Sequence, residues 1–206
     1  MRVRDHAERA PRYLSAMSEP RLPNTPRPPC HLVLVGLRGS GKSTLGALLA
    51  EDLARPFIDL DDRTAALLGS TSAGDAFRTA GQAAFRAAES RALADALAGP
   101  PLVLALGGGT PTAPGAAELL RAARANGGAY VVFLDPPIAS MAKRLERDAG
   151  NRPSLTGRGV IEEIEEIAER RRPLYAALAD RVVRGAPSVS EAKSEVLSAF
   201  ASIAAS

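Results

Sequence analysis

Short runs of apolar residues alternate with longer stretches of mixed character along this chain. The apolar runs are rich in Val, Leu, Ile and Phe, and they predict buried strands at residues 31–35, 56–61, 102–106, 130–134 and 181–183. Apolar side chains at helical spacing predict helices after each of the first two strands, and then at residues 73–78, 82–97, 114–125, 138–147, 161–178 and 190–203. Strands separated by helices favour a parallel sheet that is covered on both faces. The sequence therefore predicts an α/β fold.

A phosphate-binding motif follows the first predicted strand. Residues 36–43 read GLRGSGKS and fit G-x-x-x-x-G-K-[ST] at every fixed position, between a strand and a helix. The glycines let successive backbone N–H groups point at a phosphate, and the helix N-terminus adds to the attraction. In this motif Lys42 reaches the β- and γ-phosphates and the hydroxyl of Ser43 binds Mg²⁺. The motif predicts a nucleoside triphosphate site, against the alternative of a glycine-rich turn with a chance lysine.

Two further polar or glycine-rich motifs follow predicted strands. Asp59 and Asp61 end the second strand, and three consecutive glycines at residues 107–109 follow the third. Because ligands bind beyond the carboxyl ends of parallel strands, we expect these motifs and the phosphate loop at one edge of the sheet. Phosphoryl transfer needs one carboxylate near the metal and one to position the attacking hydroxyl. The alternatives are a solvated acidic loop, a helix N-cap at Asp61 or Asp62, and a tight exit from the strand at the glycines.

Several arginines are candidates for binding anions. Arg86 and Glu89 lie on one helix face, either as a surface ion pair or as an arginine that a carboxylate holds toward an anionic ligand. The loop at 148–159 is either an exposed basic loop or a lid that brings Arg152 over a phosphoryl group. Arg171 lies in a run of three arginines and either ends a charged helix or faces the cleft.

Composition limits the classes of function. The 206 residues are 46% hydrophobic and carry a net charge of +3, which suits one compact domain that acts on a small anion. Basic residues are not interleaved with aromatics as in nucleic-acid-binding proteins, and no apolar run is long enough to span a membrane. The single cysteine, Cys30, excludes an intramolecular disulfide and favours a reducing compartment such as the cytoplasm. Residues 1–29, rich in Pro and Arg, are expected to form a flexible tail before a domain at 30–206.

Together these residues resemble the shikimate kinase family over about residues 31 to 183. The motifs are GLRGSGKST at 36–44, F-x-D-x-D at 57–61, G-x-x-x-F-R-x-x-E at 81–89, GGG at 107–109, R-P at 152–153 and R-x-P-L-Y at 171–175. The resemblance implies a P-loop NTPase with the three-layer α/β/α fold of nucleoside monophosphate kinases and a mobile lid at about 148–159. It implies ATP-dependent phosphorylation of the 3-hydroxyl of shikimate with Mg²⁺ as cofactor. The expected protein is a monomer that acts on small molecules in the cytoplasm, without nucleic-acid or membrane partners.

The resemblance also implies roles for individual residues. ATP would be bound by Gly39, Ser40, Gly41, Lys42, Ser43, Thr44, Arg147 and Arg152, with Arg147 packed on the adenine. Shikimate would be bound by Asp61, Arg86, Gly107, Gly108, Gly109 and Arg171, with the two arginines clamping its carboxylate. Ser43 would bind Mg²⁺ directly and Asp59 through water. Lys42, Asp61 and Arg152 would be catalytic, and Asp61 would act as base or orient the attacking oxygen.

The sequence departs from the family pattern at a few positions. Gln82 replaces the usual Glu, Ser154 replaces the usual Leu, and residues 184–187 align poorly with the adenine-contacting segment. Two other functions stay open. One is a related kinase such as gluconate kinase, since gluconate is also a polyhydroxy acid. The other is a kinase-like sensor domain of a transcriptional regulator, although 29 residues are too few for the DNA-binding domain that precedes such sensors.

Overall fold

The computed structural model describes residues 29–147, 160–185 and 188–203. Its five strands are β1 His31–Gly36, β2 Phe57–Asp59, β3 Val103–Ala105, β4 Ala129–Asp135 and β5 Arg181–Arg184. Its seven α-helices are α1 Lys42–Leu53, α2 Leu60–Leu67, α3 Ala73–Leu97, α4 Ala116–Ala125, α5 Ile138–Arg147, α6 Val160–Leu178 and α7 Val189–Ile203. The predicted tail up to residue 28 and the predicted lid at 148–159, with Arg152 and Ser154, lie outside the described residues.

The strands form one parallel sheet in the order β2-β3-β1-β4-β5. β1 lies at the centre of the sheet. β2 and β3 lie on one side of it, and after β3 the chain crosses to the other side, where β4 and β5 lie. This reversal of direction opens a crevice beyond the carboxyl end of β1, where ligands of such sheets bind. The predicted α/β fold with a parallel sheet is confirmed.

The residues of β1 alternate between two apolar layers, because successive side chains of a strand point to opposite faces. Leu32 and Leu34 pack in a cluster that α1 and α7 cover, with Leu49 and Phe200 among its buried members. Val33 and Val35 belong to a larger cluster on the opposite face. The buried members of that cluster include Ala92, Leu93, Leu120, Met141, Ala168 and Tyr175, from helices α3 to α6. Apolar side chains at residues 32–35 of β1 are therefore required, since both faces of the strand are buried.

The acidic end of β2 differs from the prediction of a strand that continues to residue 61. β2 ends at Asp59, and α2 begins at Leu60. Asp59 is the N-cap of α2, and its Oδ1 accepts a hydrogen bond from the backbone nitrogen of Asp61 at 3.0 Å. The cap favours a helix over further strand pairing at this point. Asp61 therefore lies in the first helical turn, not on a strand.

A small third cluster lies beside the sheet, between α2 and the first part of α3. Its buried members are Ala65, Ala73, Ala76 and Phe85, and the rings of Phe77 and Phe85 pack edge to face at 5.5 Å. α3 is interrupted at Gly81, whose φ of 79° and ψ of 165° are not helical. This agrees with the prediction of two helical stretches on either side of Gly81.

None of the helices in the described ranges combines the length and the apolarity that a bilayer span requires.

Asp180 fixes the start of β5 against β4. Its backbone nitrogen donates to the carbonyl of Val131 at 2.7 Å, and its Oδ2 accepts from the backbone nitrogen of Val131 at 2.8 Å. The guanidinium of Arg124 donates to Oδ1 of the same carboxylate at 2.6 and 2.9 Å. Because Val131 is fully buried, its N–H would have no acceptor without this side chain.

We expect Asp180→Ala to lower the free energy of unfolding by about 1–3 kcal/mol, the cost of an unpaired buried N–H group. Arg124→Ala is the matched control, because it removes the partly exposed ion pair but leaves the acceptor of Val131 in place. Its expected loss is below about 1 kcal/mol. Urea unfolding of the two variants measures both, and equal losses would contradict the importance assigned to the Val131 hydrogen bond.

Candidate active site

The phosphate-binding motif has the strand, turn and helix that its sequence predicted. Gly39 and Gly41 have φ values of 76° and 94°, a left-handed conformation that glycine adopts without strain. Lys42 begins α1 and is buried, and its Nζ donates to the carbonyl of Leu37 at 2.9 Å and to Oγ of Ser40 at 3.3 Å. The loop therefore encloses a positive charge at the N-terminus of a helix, which is the environment that a phosphate group needs.

A cavity of about 430 Å³ adjoins this loop on the side of β4 and β5. It is lined by Ser40, Gly41, Thr44, Leu45, Leu134, Pro136, Arg144, Val183, Gly185, Ser188, Val189 and Ala192. The lining combines apolar side chains with a few polar groups, as is typical of pockets for small organic ligands.

Arg144 reaches the phosphate loop from α5, the helix that also carries Arg147, for which the resemblance implies packing on the adenine. Nη1 of Arg144 donates to the carbonyl of Gly39 at 3.0 Å, and Arg144 lines the cavity. Arg147 is exposed, and its Nε donates to the carbonyl of Lys143 at 3.2 Å, one turn earlier in its own helix. The structure thus brings Arg144, and not Arg147, to the loop.

Ser43 and Asp59 join the phosphate loop to β2. Oγ of Ser43 donates to Oδ2 of Asp59 at 2.5 Å. Among the described residues, no three His, Cys, Asp or Glu side chains gather into a metal-binding group. Magnesium bound with a nucleotide commonly uses only one or two protein oxygens and takes its remaining ligands from phosphates and water. An exposed hydroxyl beside a carboxylate, next to a phosphate loop, fits such an ion.

The glycines at residues 107–109 lie where several functional groups approach the backbone closely. None of them has φ in the left-handed region, so conformation does not require glycine here. A Cβ atom on Gly107 would collide with Oδ1 of Asp61, and one on Gly108 would lie 2.9 Å from the backbone nitrogen of Arg38. A Cβ on Gly109 would lie 2.5 Å from Nη2 of Arg86. Glycine is needed at this turn because of the space that these neighbours occupy.

Arg86 is held by a buried carboxylate. Nη1 of Arg86 donates to Oε2 of Glu89 at 2.5 Å, and the hydroxyl of Thr110 donates to Oε1 at 2.5 Å. The Glu89 side chain is 1% exposed and the Arg86 side chain 23% exposed. The surface ion pair considered as an alternative is therefore wrong for this pair. The side chain of Arg86 stays partly accessible, and its guanidinium is held by Glu89, as binding of an anionic group requires.

Arg171 and Tyr175 approach the same turn from α6. Nη1 of Arg171 donates to the carbonyl of Gly108 at 2.7 Å, and the hydroxyl of Tyr175 donates to the same oxygen at 2.6 Å. Burial raises the pKa of Tyr175 above its usual value, although the positive charge of Arg171 acts in the opposite direction. The phenol therefore keeps its proton at neutral pH and remains a hydrogen-bond donor.

The fold thus gathers most of the predicted site residues at one edge of the sheet. Arg171 contacts Gly108, Asp61 and Arg86 approach the glycine turn, and the phosphate loop lies beside it. Four residues of this region were not assigned from the sequence: Arg38, Thr110, Arg144 and Tyr175. The letters R-x-P-L-Y marked Tyr175 as part of a motif, but no local pattern indicated its partner. Two cations and a carboxylate beside a phosphate loop suit transfer of a phosphoryl group to a hydroxylated anion.

Comparisons with known proteins agree with this chemistry. The family model described as shikimate kinase matches residues 38–201. The chain is 38% identical over 178 residues to a shikimate kinase of Rhodopirellula baltica. The aligned region covers 83% of this chain and 90% of the relative. The chain is 41% identical over 158 residues to a shikimate kinase of Nitratidesulfovibrio vulgaris, covering 76% and 87%. The solved structure of a shikimate kinase from Acinetobacter baumannii in complex with shikimate matches with a TM-score of 0.75 and 30% identity, covering 84% of this chain and 93% of that one.

Two Glu–Arg pairs of the same helical spacing test the importance of burial in this site. We expect Glu89→Ala to lower the free energy of unfolding by about 2–3 kcal/mol, because Arg86 and Thr110 lose their acceptor. Glu118→Ala removes the exposed pair of Glu118 and Arg121, whose side chains are 72% and 52% exposed, and should cost less than about 0.5 kcal/mol. Denaturant unfolding measures both losses. Losses of similar size would mean that Glu89 does not hold the site together.

Proposed function

The chain belongs to the shikimate kinase family, and we propose that it transfers the γ-phosphoryl group of ATP to the 3-hydroxyl of shikimate. The observation that carries this proposal is the meeting of Asp61, Arg86 and Arg171 at the glycine turn, directly beside the phosphate loop. Shikimate is a small carboxylic acid with several hydroxyl groups. It needs cations for its carboxylate and an acceptor for its hydroxyls, and this part of the site offers both.

We propose that Arg86 and Arg171 clamp the carboxylate of shikimate. Their guanidinium groups lie against Gly109 and Gly108, two consecutive residues of one turn. A carboxylate placed there would accept hydrogen bonds from both arginines, and the backbone of Gly108 and Gly109 is close enough to contribute. The planar fork of an arginine fixes the orientation of the acid as well as its position.

We propose that Asp61 binds the 3-hydroxyl of shikimate, which attacks ATP. Its carboxylate lies against Gly107, in the first turn of α2, which begins next to the phosphate loop through the contact of Ser43 with Asp59. A carboxylate at this point orients the attacking oxygen and accepts its proton. Arg152, the proposed lid arginine, lies outside the described residues, and its role stays a prediction.

On the donor side, we propose that Lys42 exchanges its contact with the carbonyl of Leu37 for phosphate oxygens of ATP. The residues from Gly39 to Thr44 would surround these phosphates with backbone N–H groups. Magnesium, the proposed cofactor, would be held by the hydroxyl of Ser43 and, through water, by Asp59. When bound, it would neutralise negative charge on the transferred group.

The nucleoside of ATP is proposed to occupy the cavity of about 430 Å³ beside the loop. Arg144 lines this cavity and also contacts Gly39, so its planar guanidinium can stack on a base. This assignment is an alternative to the packing of Arg147 on the adenine, which the resemblance implies. A monomeric state stays a prediction, and so does a location in the cytoplasm, which the single cysteine favours.

The function is tested first by release of ADP from Mg·ATP with shikimate, with gluconate and with no acceptor. We expect turnover with shikimate only, and a fall in kcat of at least about 100-fold in Asp61→Asn, because an amide accepts no proton. Asp62→Asn is the matched control, since Asp62 is exposed in the same helical turn and is expected to keep its activity.

Each other outcome would point to one of the alternatives. Turnover with gluconate alone would support a kinase activity but contradict the assignment of shikimate as the substrate. Binding of ATP without turnover of either acid would favour a sensor domain. Full activity of Asp61→Asn with shikimate would support the proposed reaction but contradict the role proposed for Asp61.

The proposed nucleoside pocket predicts which arginine of α5 ATP needs. Arg144→Met is expected to raise the KM for ATP about fivefold, with the KM for shikimate unchanged, because one stacking or hydrogen-bonding contact contributes about 1 kcal/mol. Steady-state kinetics at saturating shikimate measure this change. Arg147→Met tests the assignment made from the resemblance, and a larger rise for Arg147→Met than for Arg144→Met would contradict the pocket proposed here.

A further inference from the structure

One backbone oxygen in the substrate half of the site accepts two side-chain hydrogen bonds. The carbonyl of Gly108 is bound by Nη1 of Arg171 at 2.7 Å and by the hydroxyl of Tyr175 at 2.6 Å. A carbonyl oxygen has two lone pairs, so each donor has its own. Arg171 and Tyr175 are four residues apart on α6, a spacing that places both side chains on one face of the helix.

The two donors differ in their freedom to move. Tyr175 is fully buried, and its ring packs against Phe133 edge to face, with 5.6 Å between ring centroids. Its hydroxyl oxygen is therefore held in a fixed position. Arg171 is only half-buried, and its guanidinium carries five N–H donors at the end of a flexible chain. Of the two, only Arg171 is able to turn toward a ligand.

This difference matters when an anionic substrate arrives. As Arg171 turns toward a carboxylate, its hydrogen bond to Gly108 weakens, and this half-buried carbonyl must keep another donor or lose its protein partners. Tyr175 supplies that donor. Because a peptide group is planar, a fixed Gly108 carbonyl also fixes the N–H of Gly109, which points the opposite way from the same peptide.

We propose that Tyr175 is a positioning residue that holds the Gly108 carbonyl, so that Arg171 is released to the substrate carboxylate without leaving this oxygen unpaired. The proposal rests on the role proposed above for Arg171. It assigns to Tyr175 an effect on substrate binding through a backbone group, without contact between Tyr175 and the substrate.

The test is the kinetics of Tyr175→Phe in the full-length protein. Without the hydroxyl, Arg171 becomes the main donor to the Gly108 carbonyl, and its turn toward shikimate leaves that oxygen unpaired. We expect the KM for shikimate to rise about tenfold, at the lower end of the effect of an unpaired polar group, because the Gly108 carbonyl is half-buried. The kcat and the KM for ATP should change less than about twofold, because the interaction is lost equally from the ground state and the transition state.

Phe133→Leu is the control for packing. It removes the ring that Tyr175 packs against but leaves the hydroxyl, so it should lower the thermal midpoint at least as much as Tyr175→Phe while the KM for shikimate stays within about twofold of the wild type. An equal rise in KM for both variants would overturn the proposal, since the effect would then come from general loosening of the core.

A double-mutant cycle with Arg171→Met separates this proposal from the one for Arg171. If the proposal is right, Arg171→Met raises the KM for shikimate, and adding Tyr175→Phe raises it less than about twofold further, because no arginine remains to be released. A further tenfold rise in that background would overturn it. An unchanged KM for shikimate in Arg171→Met would contradict the proposal that Arg171 binds the carboxylate. A raised KM in Arg171→Met with an unchanged KM in Tyr175→Phe would remove only the role of Tyr175.

Discussion

Close packing around three residues without side chains is the constraint on which the proposed site depends. The backbone of residues 107–109 lies against the carboxylate of Asp61, the backbone of Arg38 and the guanidinium of Arg86. These three neighbours come from α2, the phosphate loop and α3. A Cβ atom on Gly108 would press on the backbone of the loop, and one on Gly107 or Gly109 would displace the proposed binding group of Asp61 or Arg86. The turn therefore fixes the spacing between the substrate half of the site and the phosphate loop.

The phosphate loop also connects the two halves through side chains. Ser43 donates to Asp59, and Asp59 caps the helix that carries Asp61. A group proposed to bind the metal and one proposed to receive the attacking hydroxyl are thus joined by two consecutive hydrogen bonds. Such a connection limits the movement of these two groups relative to each other, and positioning of this kind is a large part of what phosphoryl transfer asks of a protein.

Local patterns in the sequence predicted the strands, most helices and the edge of the sheet where the motifs meet. They failed where the outcome depends on tertiary contacts. Asp61 was placed on a strand because its apolar neighbours resemble one, but the cap at Asp59 starts a helix there. Arg144 and Arg147 lie one turn apart on α5, and only the docking of this helix on the loop decides which one reaches it. The partners of Thr110 and Tyr175 are 21 and 67 residues away in the sequence, beyond any local pattern.

The small cluster between α2 and α3 has a consequence for the cooperativity of the fold. It contains four buried residues and is separate from the two clusters that enclose the sheet, and α3 changes direction at Gly81 beside it. A segment with so few buried apolar contacts of its own opens at a lower free energy than the whole domain. Asp61 lies within this segment, and Arg86 directly follows Phe85, which closes its core. Asp61 and Arg86 are therefore mounted beside a small core of their own, whereas Arg171 comes from α6, which packs in the larger cluster of the sheet.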